Sequence, residues 1–174
     1  MGDRRPGSGM SRRDAVISTI YGLCMVGQLV LTIVSFEHLG LDWVVNLGFL
    51  LIMTFVILGA LAPLEFRRRG GIPPGKSWME TTWVVDTGIY SVVRHPQWLA
   101  WTMFSVGMVL VSQNWSVLLL GAVAVPLIYL QTSDLDRDLL RKFGTPYREY
   151  IRRVPRMNLP LGMVWRVRRG RGWE

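Results

Sequence analysis

The sequence predicts an all-α integral membrane protein, with about four transmembrane helices in two hairpins and short C-terminal helices in the cytosol or at the membrane interface. Half of the 174 residues are hydrophobic, and they are gathered in long uncharged runs. The charged residues lie between these runs and give a net charge of +8. This separation is typical of membrane chains. Basic charge beside apolar spans matches lipid head groups, so we expect membrane lipids as partners and no nucleic acid.

Two uncharged runs of 22 residues each, 15–36 and 43–64, predict a first helical hairpin. Each run matches the roughly 20 residues that a helix needs to cross the hydrocarbon core. The link 37–42 contains no Lys or Arg, so we expect it to face away from the cytoplasm. The basic tail 1–14 is interpreted as part of a retained first span, because the run that follows is too long for a signal peptide.

The longest uncharged run, residues 96–133, predicts a second hairpin. Its 38 residues would form a helix of about 57 Å, nearly twice the roughly 30 Å of a hydrocarbon core. The polar residues Gln113 and Asn114 divide the run into two stretches of about 17 residues, at the short end of what can span. We therefore expect the chain to reverse there. Pro126 is expected to kink the returning helix.

The arginines indicate the orientation of the spans. They gather in the N-terminal tail, in the segment 65–95 and after Arg137, while both hairpin tips lack them. A multi-pass protein with four spans and both termini in the cytoplasm satisfies the positive-inside rule. The segment 65–95 is too long for a simple turn, which makes it a candidate for function, and Trp78 and Trp83 are expected interfacial anchors.

Residues 134–155 are predicted to form two short basic amphipathic helices. In the first, apolar residues recur every four positions up to Phe143, and Gly144 follows as the expected helix stop. Thr145 is the expected N-cap of the second helix, with Pro146 at its first position. Such helices lie well along an anionic membrane surface.

The second hairpin predicts a candidate site. Because the run 96–133 turns back, Arg94 and His95 before it and the acidic residues after it should emerge on the same face of the membrane. The acidic residues are Asp134, Asp136 and Asp138. A cationic pair beside carboxylates can hold a zwitterionic ligand, since Arg binds a carboxylate bidentately and acids bind an ammonium or ribose hydroxyls. We expect no metal site, because the chain has one cysteine and two histidines.

Three segments carry distinctive motifs: GIYSVVRHPQWLA (88–100), FGTPYREY (143–150) and VPRMNLP (154–160), with the hairpin and the acidic residues between the first two. Together they resemble the isoprenylcysteine carboxyl methyltransferase family. The family pattern is RHPxYxG, a pair of glutamates, FGxxYxxY and then VPR. The order and spacing agree over about half of the chain. The related phospholipid N-methyltransferases share the first elements but less of the tail.

The resemblance implies a small integral membrane methyltransferase. It would bind S-adenosylmethionine in a cytosolic pocket of the C-terminal half and take a lipophilic small-molecule or lipidated acceptor from the bilayer. Together with the hairpin geometry, it makes Arg94, Arg156 and Asp134 the candidate catalytic residues. The candidate cofactor-binding residues are Tyr90, Arg94, His95, Pro96, Trp98, Asp134, Asp136, Asp138, Tyr147 and Tyr150.

Three departures from the family pattern affect the details of the site. Trp98 stands at the motif tyrosine and keeps an aromatic wall without the phenol. Ala100 stands at the motif glycine and narrows the approach to the backbone. The acidic residues are aspartates, whose shorter reach leaves open which of them contacts the cofactor.

Each candidate also has an ordinary structural interpretation. Arg94 can anchor a helix end, and His95 can cap a helix. The aspartates can favour a helix N-terminus, and we expect at least one of them to do so. Tyr147 and Tyr150 can be core aromatics. The arginines at 67–69 and 166–171 are interpreted as lipid-facing charge.

The sequence leaves the acceptor and the oligomeric state open. A prenylcysteine-type carboxylate needs no base, whereas a thiol or an ammonium would need deprotonation, for which His95 or an Asp is the nearest candidate. The alternatives are a phospholipid N-methyltransferase, a membrane sterol or enone reductase using NADPH, and a non-catalytic basic membrane module.

We expect a single membrane domain, residues 1–174, made of six segments. They are a basic tail (1–14), the first hairpin (15–64), a cytosolic connecting segment (65–95), the second hairpin (96–133), cofactor-site helices and loop (134–160) and a second basic tail (161–174).

Overall fold

The described part of the chain is helical and contains no strand. The structure, a computed structural model, describes residues 12–35, 41–71 and 81–170. The α-helices there are α1 (Arg12–Val34), α2 (Asp42–Arg69), α3 (Pro96–Ser112), α4 (Trp115–Phe143), α5 (Thr145–Arg153) and α6 (Leu159–Gly170), and a 3-10 helix covers Gly88–Ser91. The all-α class is confirmed. Most of the link 37–42 and the expected anchor Trp78 lie outside the described residues.

Among the described residues, three helices are long and apolar enough to cross a membrane: α1, α2 and α4. They expose large apolar side chains such as Leu23, Leu50 and Leu119. An apolar surface this extensive is unfavourable in water and suits lipid. The chain is therefore an integral membrane protein. α3, with 17 residues, is just short of the usual length, so its role as a fourth span stays a prediction.

The C-terminal half of α4 corrects an expected boundary. α4 continues without a break to Phe143, so residues 134–143 are not a separate helix. The aspartates therefore lie inside α4, and the expectation that one of them favours a helix N-terminus is wrong. An aspartate inside an α-helix lowers the stability of the helix by only about 0.5 kcal/mol relative to good helix formers. A change from apolar to charged residues therefore does not stop the helix.

Gly144 is where α4 stops. Its φ of 62° lies in the left-handed region, which glycine adopts without steric cost. The expected helix stop at Gly144 is observed. Thr145 is the first residue of α5 and not its cap, because the capping position is Gly144. Pro146 is therefore the second helical residue, one position later than predicted but still in the first turn.

α6 was missed by the sequence analysis, which placed a basic tail in this region. The Oδ1 of Asn158 accepts a hydrogen bond from the backbone nitrogen of Leu161 at 3.0 Å. This contact caps the start of α6, and Pro160 lies in its first turn. The signal was the Asn158-Leu159-Pro160 sequence, which the following arginines obscured.

The described chain divides into two compact units. The first contains residues 1–56 and 100–135. In this unit Gln28 of α1 is fully buried, and its Nε2 donates to the carbonyls of Ser105 (3.3 Å) and Val117 (3.1 Å). The Ser105 hydroxyl donates to Gln28 Oε1 at 2.9 Å. These hydrogen bonds satisfy a polar side chain within an apolar span and join α1 to α3 and α4.

The reversal between α3 and α4 is observed at Gln113 and Asn114, also in the first unit. Gln113 has a φ of 51°, and Asn114 Oδ1 accepts from the backbone nitrogen of Ser116 at 2.8 Å, which caps α4. α2 and α3 approach closely at Gly48 and Gly107, where a methyl group on Gly107 would lie 2.9 Å from the Gly48 carbonyl oxygen. Small residues at such contacts are typical of membrane helix pairs.

The second unit contains residues 57–99 and 136–174. Its core is formed by Tyr147, Tyr150 and Val154, which are almost fully buried. Partly buried apolar residues pack around them: Val84, Leu139, Leu140, Phe143 and Ile151. All candidate site residues except Asp134 belong to this unit. The single domain expected from the sequence stays a prediction.

Candidate active site

Two segments that are far apart in the sequence lie side by side at the site. The backbone nitrogen of Arg94 donates to the carbonyl of Pro155 at 3.0 Å, and that of His95 donates to the carbonyl of Arg156 at 3.1 Å. The His95 carbonyl accepts from Leu99 and so begins α3. The RHP and VPR motifs thus form one structural element.

Asp136, on α4, is the centre of the cluster. Its Oδ1 accepts hydrogen bonds from Arg94 Nη1 at 3.1 Å and His95 Nε2 at 2.8 Å. Tyr147 Oη also donates to Oδ1, at 2.7 Å. Its Oδ2 accepts from Arg156 Nε at 2.8 Å. One carboxylate, with a side chain only 8% exposed, therefore joins four side chains. The expected meeting of the Arg-His pair with an acidic residue is observed at Asp136.

The charges of this cluster do not cancel. Asp136 contributes one negative charge, while Arg94 and Arg156 contribute two positive charges. A buried carboxylate is stable only when it is paired and hydrogen-bonded, and here both conditions are met. The cluster is left with an excess of one positive charge when His95 is neutral. It can therefore attract an anionic group of a ligand.

His95 is neutral because of its surroundings. Burial lowers the pKa of His95, since the imidazolium loses its hydration. The hydrogen bond to Asp136 acts in the opposite direction, and the guanidinium groups of Arg94 and Arg156 add to the lowering. Because a carboxylate only accepts, the Nε2 of His95 carries the proton that it donates to Asp136. Its Nδ1 is then an acceptor.

The hydroxyl groups of Tyr147 and Tyr150 donate hydrogen bonds to other groups of the protein. Burial raises the pKa values of Tyr147 and Tyr150, so both phenols stay protonated and act as donors. Tyr150 Oη donates to the carbonyl of Tyr90 at 2.7 Å. The ring of Tyr90 packs against Phe66 with centroids 5.8 Å apart. The interpretation of Tyr147 and Tyr150 as core aromatics is thus observed.

Two buried polar atoms, one on Arg94 of the cluster and one on Gln97 two residues after His95, have no hydrogen-bond partner in the described part of the chain: Arg94 Nε and Gln97 Oε1. A buried polar atom left unpaired costs about 1–3 kcal/mol, so these atoms indicate where a ligand can bind. One is a donor and the other an acceptor, which suits a ligand with both kinds of group. Gln97 was missed by the sequence analysis, because an uncharged residue between Pro96 and Trp98 gave no separate signal.

The other aspartates have different surroundings. Asp138 lies 4.0 Å from Arg141, one helical turn away, and its side chain is 44% exposed. Asp134 belongs to the first unit, where its Oδ2 is 4.0 Å from Arg13. Trp98 is partly buried in the first turn of α3. The expected contacts of these three residues with a cofactor stay predictions.

The chain belongs to the phospholipid methyltransferase family, which it matches over residues 43–143. It is thus an integral membrane methyltransferase that acts on a lipophilic acceptor. It is similar to protein-S-isoprenylcysteine O-methyltransferase B of Arabidopsis thaliana, with 29% identity over 153 residues that cover 80% of this chain and 74% of the relative. No solved structure matches the chain significantly. The resemblance seen in the motifs is confirmed, and the reductase and non-catalytic alternatives are set aside.

Replacing Asp136 with Asn should destabilise the protein strongly. The change removes the negative charge that pairs with the buried Arg94 side chain and the partly buried Arg156 side chain, and breaking a buried ion pair in this way costs about 3–5 kcal/mol. The matched control is Asp138→Asn, whose exposed partner is weakly held, and we expect it to change stability by less than about 1 kcal/mol. Unfolding of the purified variants in mixed micelles measures both values. Equal losses would show that Asp136 has no special role.

The lowered pKa of His95 predicts a loss of stability in mild acid. As the pH falls below about 6.5, the unfolded chain takes up a proton on this residue before the folded protein does. The folded state is therefore destabilised as the pH falls through this range, by up to about 1.4 kcal/mol per pH unit. His95→Gln keeps an N–H donor but cannot titrate. Unfolding measured from pH 7.5 to 5 should give a shallower slope for this variant, and identical slopes would contradict the prediction.

Proposed function

We propose that the methyl donor is S-adenosylmethionine and that it binds at the cluster around Asp136. The observation that carries the proposal is a buried cluster with one excess positive charge beside an unpaired donor and an unpaired acceptor. Membership of a methyltransferase family requires a methyl donor. The amino-acid part of S-adenosylmethionine has a carboxylate and an ammonium group, and its ribose has hydroxyls. The carboxylate can pair with the guanidinium groups, and the ammonium group or a ribose hydroxyl can donate to the unpaired acceptor.

The residues present fit such a donor. Arg94 and Arg156 would hold its carboxylate, because a guanidinium presents several N–H groups to one anion. Gln97 Oε1 would accept a hydrogen bond from its ammonium group or a ribose hydroxyl. When bound, S-adenosylmethionine supplies a methyl group that is already activated by the sulfonium. The protein then has to orient the two reactants and exclude water.

Asp136 acts in this proposal as a positioning residue. Since it already accepts four hydrogen bonds, it serves to fix the two guanidinium groups in place. The catalytic role expected for Asp134 and the cofactor contacts expected for Asp138 stay predictions.

We further propose that the acceptor is a carboxylate of the prenylcysteine type. Asp136 is occupied by donors, and the pKa of His95 is lowered, so neither is a good general base. A carboxylate is ionised at neutral pH and attacks without losing a proton, whereas a phospholipid amine would have to be deprotonated first. The isoprenylcysteine O-methyltransferase relative supports this choice. The family match to phospholipid methyltransferases makes the amine the second candidate.

We also propose that the site and both termini face the cytoplasm. The support is the arginine cluster Arg67–Arg69 in the last turn of α2. It lies in the same unit as the site, and basic residues crowd the cytoplasmic ends of membrane helices.

Arg94→Lys should weaken cofactor binding while it preserves the fold. Lysine keeps a positive charge beside Asp136 but loses the Nε donor and the planar fork. We expect the affinity for S-adenosylhomocysteine, titrated calorimetrically into detergent-solubilised protein, to fall at least tenfold. The matched control is Arg67→Lys, which changes an exposed arginine in the same unit. Equal affinities for the two variants would show that Arg94 does not contact the ligand.

A transfer assay identifies the acceptor. Protein in vesicles receives S-adenosylmethionine with a labelled methyl group and one of three acceptors: a prenylated cysteine derivative, the same derivative with its carboxylate converted to an amide, or phosphatidylethanolamine. We expect label only on the free carboxylate, as a base-labile ester. Label on phosphatidylethanolamine would overturn the proposed carboxylate acceptor, but it would still support S-adenosylmethionine as the methyl donor. No cofactor binding at millimolar concentrations would count against the donor itself.

A further inference from the structure

α6 carries large apolar side chains that the described part of the protein leaves partly exposed. Met163, Val164 and Val167 are each about half exposed, and Leu161 is 38% exposed. The helix also carries Arg166 and Arg168, which are exposed. A helix in a soluble environment normally turns its apolar side inward.

The opposite side of α6 is fixed to the site. A methyl group on Gly162 would overlap the backbone carbonyl of Val92, so only a glycine permits this close approach. Val92 lies two residues before Arg94. α6 therefore packs against the segment that carries the RHP motif.

The helical periodicity separates these two sides. Successive residues of an α-helix are rotated by about 100°. Relative to Gly162, Met163, Val164 and Val167 therefore lie between about 100° and 200°, facing away from Val92. Arg166 lies at about 40° and Arg168 at about 240°, so one arginine borders each edge of the apolar stripe.

The segment that α6 packs against also contacts the C-terminal part of a membrane helix. Tyr90 Oη donates to the carbonyl of Ala62, near the end of α2, at 3.4 Å. Tyr90 belongs to the 3-10 helix Gly88–Ser91, which leads directly into Val92. α2 changes from apolar to basic residues at Arg67. α6 thus lies close to the level at which the protein passes from lipid to water.

α5, the other basic helix of this unit, has no exposed apolar stripe. Its apolar residues Tyr147, Tyr150 and Ile151 belong to the core. Its exposed residues are polar or charged apart from Pro146. The expectation that α5 lies on the membrane through an apolar face therefore has no support, because that face is already packed. α6 has the free apolar stripe that α5 lacks.

We propose that α6 is an interfacial helix that binds anionic phospholipid. Met163, Val164 and Val167 insert between the acyl chains, while Arg166 and Arg168 extend along both sides of the stripe to lipid phosphates. An anionic bilayer is the occupant that matches both features, since it offers apolar chains and negative charge at one surface.

The test uses the full chain reconstituted in vesicles. Cys24 is the only cysteine of the sequence, so a Cys24→Ala background allows a fluorescent label at Val164→Cys on α6. The matched control carries the label at Arg148→Cys on α5. The vesicles contain phosphatidylcholine with an equal fraction of either brominated phosphatidylcholine or brominated phosphatidylglycerol, because bromine on the acyl chains quenches a label that lies among them.

We expect brominated lipid to quench the label on α6 several-fold more than the label on α5. We also expect brominated phosphatidylglycerol to quench it at least twofold more than brominated phosphatidylcholine. This preference should disappear in Arg166→Gln/Arg168→Gln and persist in Arg148→Gln/Arg152→Gln, which loses the same charge from α5. Equal, weak quenching at both labels would overturn the proposal. A label shielded from both brominated lipid and aqueous iodide would overturn it in favour of a protein partner or a second copy.

Discussion

The carboxylate of Asp136 is the contact on which the rest of the site depends. It is a single side chain near the end of a long membrane helix, yet it receives hydrogen bonds from the RHP segment, from α5 and from the VPR segment. Each of those donors would be costly to bury without an acceptor. The carboxylate fixes the position of two guanidinium groups, one imidazole and one phenol with respect to each other. The negative charge of Asp136 therefore determines how these side chains are arranged.

The hydrogen bonds and ion pairs of such a cluster are strong because the cluster lies next to apolar surroundings. Charges interact more strongly where water is scarce, and an incomplete network there is more harmful than none. Within the cluster itself, two guanidinium charges face a single carboxylate. This excess of positive charge gives the cluster affinity for an anion, and the buried Arg94 Nε and Gln97 Oε1 are consistent with a ligand that completes the network.

Much of the membrane architecture could be predicted from the sequence, because hydrophobic length and the positions of polar residues determine it almost directly. The spans corresponding to α1 and α2 and the reversal at Gln113 followed from uncharged runs and their interruption. The meeting of Arg94 and His95 with an acidic residue followed from that reversal. These features depend on the number of residues between polar positions, which can be read directly from the sequence.

The choice among the aspartates could not be predicted in the same way. Residues two apart on a helix point in directions about 200° apart, so Asp134 and Asp138 lie on a different side of α4 from Asp136. Knowing which side faces Tyr147 requires the packing of α5, and that depends on the unbroken continuation of α4 to Phe143. Gln97 was missed for a related reason, since its importance comes from what surrounds its oxygen. α6 was missed because its arginines resemble those of an unstructured tail.

The pairing of residues 94–95 with residues 155–156 has a consequence for biosynthesis. A ribosome makes the RHP segment before α3 and α4, but its backbone partners appear only after α5 has been made. During that interval the RHP segment lacks the carbonyls of Pro155 and Arg156, which accept its backbone hydrogen bonds in the folded protein. A chain that stops before Pro155 lacks both backbone acceptors, so residues 94 and 95 cannot form this pairing in it.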